Sequence, residues 1–164
     1  MPEKLPAGVE ISITRRSLPA DYQMPIMGMA TDHYAIGFLI SGDRRTITPT
    51  QSYDAHAGDV SVMAPYLYHR TVSLSDTPYE SYLIKFTEKA AEPLTQLMGV
   101  SFLEEMTERK IHHLPTSAQS RLSSLMEEMK TASERDEPYT SISGREYLLF
   151  QFVRTGYAFA ETIS

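Results

Sequence analysis

The stretch GDVSVMAPYLYH, residues 58–69, contains the features that decide the fold. Gly58 can adopt a positive φ angle and Asp59 can cap a turn, so this pair predicts a tight reversal of the chain. The run VSVM that follows predicts a short buried strand. Pro65 is expected to end that strand, because proline cannot donate a ladder hydrogen bond. His69 then begins the next predicted strand.

Similar apolar runs lie on both sides of this stretch at fairly regular spacing. Together they make seven predicted strands: residues 10–17, 33–42, 44–50, 52–59, 60–65, 69–75 and 79–86. The runs are rich in Val, Ile, Thr, Tyr and Phe, and Gly-Asp or Asp-Thr-Pro signals mark turns between them. Because no periodic segment of helical length interrupts the runs, antiparallel pairing in a sandwich or barrel is expected rather than βαβ units.

After the last of these runs, helical patterns replace the strands. Residues 88–99 predict a short helix that ends at Gly99, with Pro93 in its first turn. Residues 110–115 predict one more short strand. A longer helix is predicted from Thr116, which has capping-box spacing to Gln119. Its apolar face has helical periodicity and consists of Leu122, Leu125, Met126 and Met129.

A second long helix is predicted at residues 141–163, after a break at Pro138. Its apolar residues cover more than one stripe: Tyr147, Leu148, Leu149, Phe150, Phe152, Val153, Tyr157 and Phe159. A helix that is apolar this far round needs a second packing partner besides its own barrel. A partner subunit could supply that surface, and packing across the open side of the barrel is the other interpretation.

Composition limits the possible functions. The chain has 164 residues, 41% hydrophobic and 22% charged, which is typical of one globular domain with a core. Its net charge of −6 comes from mixed acidic and basic residues, which argues against nucleic-acid binding by this chain itself. The absence of cysteine excludes disulfides, thiolate metal sites and cysteine nucleophiles. No apolar run reaches membrane-spanning length, so we expect a cytoplasmic protein without membrane contact.

The order of these elements resembles the N-terminal sensor domain of AraC-family bacterial transcription regulators, a cupin-type barrel followed by dimerising helices. The matching stretches are TDHYAIGFLISG at 31–42, the opening stretch at 58–69, and PYESYLIKF at 78–86. The implied fold is mostly β, a cupin or jelly-roll-like antiparallel barrel followed by two α-helices. The barrel with an N-terminal arm would span residues 1–114, and the helical dimerisation segment residues 115–164.

The resemblance also implies a function. The chain would be a ligand-sensing and dimerisation domain that binds a small polar effector, possibly a sugar, and forms a homodimer. It would need no cofactor and would not be an enzyme. Family members carry a C-terminal helix-turn-helix domain, which is absent from this chain, so DNA would be bound only through that domain. Two alternatives stay open: a small metal-dependent cupin enzyme and a stand-alone carbohydrate-binding module.

The metal-site interpretation depends on what accompanies His69. In metal-bearing cupins, a histidine at this position joins a His-x-His pair and a glutamate. Here the pair falls around Met29 and Thr31, and Ala35 stands where sensor domains often carry Glu. His33 could supply one nitrogen, but two imidazoles without a carboxylate make a poor site. We therefore expect no metal.

The other interpretation is that His69 lines a polar ligand pocket, since the edges of histidine and tyrosine rings can form hydrogen bonds with a small polar ligand. The candidate ligand-binding residues are His69, His33, Tyr34, Tyr53, Tyr66, Tyr82 and Arg44. Any single tyrosine is more often a core residue. Arg44 or Arg45 could point inward towards an anionic ligand, but a surface position is favoured for both. The candidate dimerisation residues are Tyr147, Leu148, Phe150, Phe152 and Tyr157. The N-terminal arm is expected to be mobile when free. The resemblance implies that it folds over the ligand or contacts the DNA-binding domain, as in sugar-responsive members of the family, and a disordered tail is equally open.

Overall fold

Eight strands form two antiparallel sheets in the computed structural model, which describes residues 3–134 and 142–163, with side chains in the second segment from 147 to 161. The strands are β1 (Ile11–Leu18), β2 (Tyr34–Ser41), β3 (Arg44–Ile47), β4 (Ser52–Ala55), β5 (Asp59–Met63), β6 (Arg70–Ser73), β7 (Tyr79–Phe86) and β8 (Ile111–His113). The larger sheet has the order β1-β7-β2-β5-β8 and the smaller one β4-β3-β6. All seven strands of the barrel region and the later short strand are confirmed.

The helices lie after the barrel strands: α1 (Glu92–Met98), α2 (Phe102–Glu108), α3 (Thr116–Ser133) and α4 (Ile142–Ile163). Helix α1 has Pro93 in its first turn and ends at Gly99, as predicted. Helix α2 was not predicted. Pro138, the predicted break, lies outside the described residues. None of the helices in the described part of the chain is both long and apolar enough to cross a lipid bilayer.

The predicted capping box at the start of α3 is wrong. Pro115 is the N-cap residue, and no side chain caps the helix there. Because Pro115 is still extended, Thr116 is the first helical residue and lies one position too late to cap. Gln119 instead donates from Nε2 to the Leu114 carbonyl oxygen at 2.9 Å.

The hydrophobic core lies between the larger sheet and the helices. One face of this sheet carries a cross-strand row of Ile13, Ile84, Ile36 and Val62, all buried. The helices contribute Leu122, Met126, Met129, Phe152 and Phe159 to the same core. Burying each of these large apolar side chains contributes roughly 1.5–3 kcal/mol. The stability of the domain therefore comes mainly from the helical side of the sheet.

The opposite face of the larger sheet carries much smaller and more polar side chains. Its central cross-strand row consists of Thr14, Leu83, Gly37 and Ser61. Side chains alternate between the two faces of a strand, so this face is turned away from the helices. It lies opposite the smaller sheet, and the space between the two sheets is not filled by side chains.

Helix α4 divides the candidate dimerisation residues into two groups. Leu148 and Phe152 are only 2% and 1% exposed, because they face the core of this same chain. Phe150 and Tyr157 are 62% and 47% exposed on the opposite side of the helix. Tyr147 is half-buried, and its hydroxyl accepts a hydrogen bond from Gln151 Nε2. Helix α4 is thus covered by its own chain on one side and exposed on the other.

Candidate ligand-binding cavity

A cavity of about 760 Å³ lies between the two sheets. Its walls come from alternate residues on the inner faces of the strands: Thr14, Arg16, Ala35, Gly37, Leu39, Ser61, Met63, Leu83 and Lys85 from the larger sheet, and Arg44, Thr46, Ala55 and Thr71 from the smaller one. Tyr79 and Lys85, six residues apart on β7, both line it. At 3.4 Å per residue the cavity is therefore about 20 Å long.

The segment before β2 covers one side of the cavity. It is attached to β6 by a hydrogen bond from the Met24 amide to Thr71 O, and to the residue before β6 by one from the Gly28 amide to His69 O. This segment brings three methionines to the cavity, Met24, Met27 and Met29, and Met63 joins them from β5. Methionine side chains are flexible and polarizable, so they adapt to apolar ligands of different shapes.

Arg44 lies inside the cavity wall, so the favoured surface position is wrong for this residue. It is only 7% exposed, because the segment before β2 covers it. Its Nη1 donates to Tyr22 O at 3.0 Å and its Nη2 donates to Thr71 Oγ1 at 2.9 Å. The guanidinium also lies over the rings of Tyr22 and Tyr79, 5.7 and 4.8 Å from their centroids. Burial lowers the pKa of Arg44, and the charge of Arg16 lowers it further.

The N-terminal arm reaches the other end of the cavity. The Glu3 amide donates to Met29 O at 2.8 Å, and the Glu3 carboxylate pairs with Lys85 Nζ. Burial opposes ionisation of Glu3, but the hydrogen bond and charge of Lys85 leave its pKa below the usual range. Glu3 and Lys85 both line the cavity. The arm is thus bound across one end of the site in this structure.

His33 and His69 both line the cavity. The Nδ1 of His33 is 2.8 Å from Asp32 Oδ1, and the Nδ1 of His69 is 2.9 Å from Leu67 O. A carboxylate and a carbonyl only accept, so Nδ1 carries the proton in both rings. In the neutral form of either ring, Nε2 is then an acceptor, which could receive a hydrogen bond from a hydroxyl or amide of a ligand.

The four candidate tyrosines do not line the cavity. Tyr34 stacks on Phe86 at 5.2 Å, on the helical side of the sheet. Tyr82 is on the same side, and its hydroxyl donates to Glu127 of α3. Tyr66 is exposed on the loop before β6.

Tyr53 of β4 faces inward beside Thr46, but it lies outside the cavity wall. Its buried hydroxyl has no hydrogen-bond partner of normal geometry in the described residues, and burial raises its pKa to about 12. Of the seven candidate ligand-binding residues, the structure brings together His33, His69 and Arg44. Sequence reasoning missed Arg16, Lys85 and the methionines. The alternation of β1 and β7 was the available signal for the two cations.

The remaining histidines have separate surroundings. His112 and His113 point to opposite faces of β8, as predicted for adjacent residues of a strand. His112 is buried against the helices, where its Nε2 donates to Met106 O at 3.1 Å. His113 reaches Asp59 Oδ1 at 2.8 Å. Among the described residues, no group of three or more His, Asp and Glu side chains could hold a metal ion.

Solved structures of ToxT share this fold. Apo ToxT K231A from Vibrio cholerae strain SCE256 matches with a TM-score of 0.62 and 13% identity, over 89% of this chain and 54% of that chain. ToxT from Vibrio cholerae O395 bound to (E)-4-(8-methylnaphthalen-1-yl)but-3-enoic acid matches with a TM-score of 0.60 and 11% identity, over 95% of this chain and 59% of that chain. This chain therefore spans little more than half the length of the ToxT chains.

No protein-family model matches the sequence, and no curated protein is significantly similar to it. The likeness to ToxT is therefore a likeness of fold. ToxT is an AraC-family regulator with a cupin-type N-terminal domain. The fold predicted from the sequence, a mostly antiparallel cupin-type domain with C-terminal helices as in AraC-family sensors, is confirmed.

Proposed function

We propose that this chain is the ligand-sensing and dimerisation domain of an AraC-type transcription regulator, and not an enzyme. A small effector would bind between the two sheets. The observation that carries the proposal is the cavity of about 760 Å³, which has both charged and apolar walls and is reached by the N-terminal arm. A volume of this order suits a small organic molecule.

The fold likeness supports the same interpretation. One ToxT structure is bound to a small naphthalenyl butenoic acid, so a small molecule is known on a protein with this fold. Because this chain spans little more than half of ToxT, an attached helix-turn-helix domain and regulation of DNA are part of the proposal. The proposal also includes a cytoplasmic location. Binding would act by shifting the population between two arrangements of the arm and the helices.

The dimer would form through the exposed side of α4. Phe150 and Tyr157 are seven residues apart, so they lie on one face of the helix, with Arg154 between them. The Arg154 guanidinium lies 6.0 Å from the Phe150 ring centroid. Exposed aromatic side chains beside an arginine are typical of the central residues of protein interfaces.

Native mass spectrometry of the purified chain tests both parts of this proposal. We expect a dimer, with or without a small organic adduct. The double substitution Phe150→Asp and Tyr157→Asp should produce a monomer, whereas Ser124→Asp on an exposed position of α3 should not. A monomeric wild-type chain would refute the dimer. A stoichiometric transition metal would favour the enzyme interpretation, starting with His33 and His69.

A screen of small molecules by thermal denaturation then tests the sensor function. A ligand that binds only the folded chain raises its midpoint temperature. Sugars belong in this screen, because His33 and His69 offer acceptors for hydroxyl groups. His69→Ala is the control for specific binding. If no small molecule of any class stabilises the chain, the sensor function is wrong.

A further inference from the structure

A sulfur atom takes part in holding the segment before β2 to β6. The Met24 amide donates to Thr71 O at 3.1 Å, and the Thr71 amide donates to Met24 Sδ at 3.3 Å. In a regular antiparallel pair, the Thr71 amide would donate to the Met24 carbonyl oxygen. That carbonyl instead accepts from Arg70 Nε at 2.7 Å. The thioether therefore takes the place of a backbone carbonyl in this attachment, although sulfur is only a weak acceptor.

The same segment carries two more methionines beside its second attachment point. Gly28 and His69 exchange both backbone hydrogen bonds, at 2.8 and 2.9 Å. Met27 and Met29 lie on either side of Gly28 and line the cavity, and Met63 of β5 lines it as well. All the methionines of the cavity are partly exposed, so small solutes can reach them.

The methionines on the helical side of the larger sheet are less accessible. Met106, Met126 and Met129 are at most 1% exposed in the core. Met98 of α1 is partly exposed, but it packs against this core and does not line the cavity. Because the chain contains no cysteine, thioethers are its only sulfur groups. An oxidant that enters the cavity therefore meets sulfurs of the segment, while the core sulfurs stay out of its reach.

We propose that the cavity methionines are an oxidation site, and that conversion of Met24 to its sulfoxide releases the segment before β2 from β6. The reactant is a two-electron oxidant of the hypochlorous acid class. The sulfur loses two electrons and forms a bond to oxygen, the O–Cl bond breaks, chloride leaves and the proton passes to water. Methionine sulfoxide reductases reverse the modification. This response to oxidants goes beyond ligand sensing and does not depend on it.

The contact between Met24 and Thr71 has no room for the added oxygen. An N–H···O hydrogen bond alone takes up about 2.9 Å between nitrogen and oxygen. The sulfur itself lies only 3.3 Å from the Thr71 nitrogen. The sulfoxide must therefore move away from β6, or turn its oxygen aside and leave the Thr71 amide with a poorer acceptor. The segment also includes Tyr22, whose carbonyl accepts from Arg44, so its release would uncover this side of the cavity.

Amide hydrogen exchange of the full chain, measured by NMR, tests the release. The chain is treated with hypochlorous acid at one equivalent per cavity methionine, and peptide mass spectrometry locates the sulfoxides. We expect sulfoxides at the cavity methionines and none at Met126 or Met129. The Thr71 and Gly28 amides should then exchange roughly 5- to 10-fold faster, as expected for a lost hydrogen bond. The amide of Ile84, in the middle of the larger sheet, should keep its rate, and sulfoxide reductases for both epimers should restore the slow exchange.

Met24→Leu removes this sulfur at nearly constant volume, so the variant should fold. Its remaining cavity methionines still react, yet its Gly28 amide should stay protected after treatment. Met98→Leu is the matched control, because it removes a partly exposed methionine outside the segment, and it should respond as the wild type does. The reversal by reductases tests the same point without any substitution.

Three results would overturn the inference. Oxidation of Met126 and Met129 as fast as of the cavity methionines would show that the cavity is not a selective site. Unchanged exchange of the Thr71 and Gly28 amides in a chain with oxidised Met24 would show that the segment is not released. An equal response of Met24→Leu and the wild type would show that another group is responsible. A chain that responds to the oxidant but binds no small molecule would support this inference and refute the sensor function.

Discussion

Ile36 and Gly37 are adjacent on β2, yet their substitution should have opposite consequences. Ile36 is 2% exposed and faces the helices, whereas Gly37 lines the cavity on the other face of the sheet. Ile36→Ala should therefore reduce stability and leave the cavity unchanged. Gly37→Leu should fill the middle of the cavity and leave the core unchanged. The pair tests whether stability and binding reside on opposite faces of one sheet.

The magnitudes follow from the atoms involved. Ile36→Ala removes three carbons, about 0.8 kcal/mol each, and the space left behind raises the total cost to about 2–5 kcal/mol. Gly37→Leu gains about 0.5–1 kcal/mol because glycine in a strand is unusually flexible when unfolded. A Cβ at this position would lie 3.1 Å from Ser61 Oγ, so part of that gain is lost in moving a short side chain. The net change for Gly37→Leu should stay within about 1 kcal/mol.

Urea denaturation gives the free energy of unfolding, and calorimetric titration with a compound that stabilises the wild type in the thermal screen gives the affinity. We expect Ile36→Ala to bind normally at temperatures where it is folded, and Gly37→Leu to bind at least tenfold more weakly. A shift of the strand by one residue would exchange the two faces and so exchange the two results. If Gly37→Leu loses more stability than Ile36→Ala, the assignment of core and cavity faces is wrong. The stability comparison holds for any ligand class.

Three further predictions concern the helices and the arm. Gly156→Ala should destabilise the chain by about 1–3 kcal/mol in urea despite the better helix propensity of alanine, because the added Cβ would collide with the Leu94 side chain. In a chain that already carries Leu94→Ala, adding Gly156→Ala should cost much less free energy of unfolding. Burial lowers the pKa of His112, so its contribution to stability is present above pH 6.5 and is lost as the pH falls from 6.5 through the folded-state pKa. His112→Leu should therefore lose less free energy of unfolding than the wild type over the same fall in pH. Glu3→Gln removes the partner of Lys85 and should increase proteolysis of the arm at neutral pH, and unchanged cleavage would show that backbone hydrogen bonds alone hold it.

Much of the fold follows from local chemistry. Turn pairs such as Gly58-Asp59 and the alternation of the runs between them set the strands, and both signals are read from a few neighbouring residues. Helix α2 is as short as α1 and also lacks a side-chain cap, but it has neither the proline in the first turn nor the glycine at the end that marked α1 in the sequence. The start of α3 at Thr116 was predicted correctly, but its cap was not, because Pro115 and not Thr116 is the N-cap residue.

The site was harder to predict, because it depends on which face of each strand turns inward. Tyr34 and Ala35 differ by one position, and only Ala35 lines the cavity. A sequence does not give that register by itself, since a shift of one residue exchanges all faces. Arg44 was assigned to the surface because its burial comes from a segment about twenty residues earlier, which folds over it. Contacts at that separation leave no local pattern.

The location of the core explains why the space between the two sheets can remain unfilled without loss of the fold. The larger sheet buries its apolar face against α3 and α4, so the large apolar side chains of the core lie on that side. Small and polar residues such as Gly37 and Ser61 can therefore line the cavity without destabilising the domain. Helix α4 contacts this core on one side and carries Phe150 and Tyr157 on the other. The sheet that forms the cavity wall is thus packed directly on the helix proposed to form the dimer, so under the proposed function only this sheet and helix would separate an effector from the subunit interface.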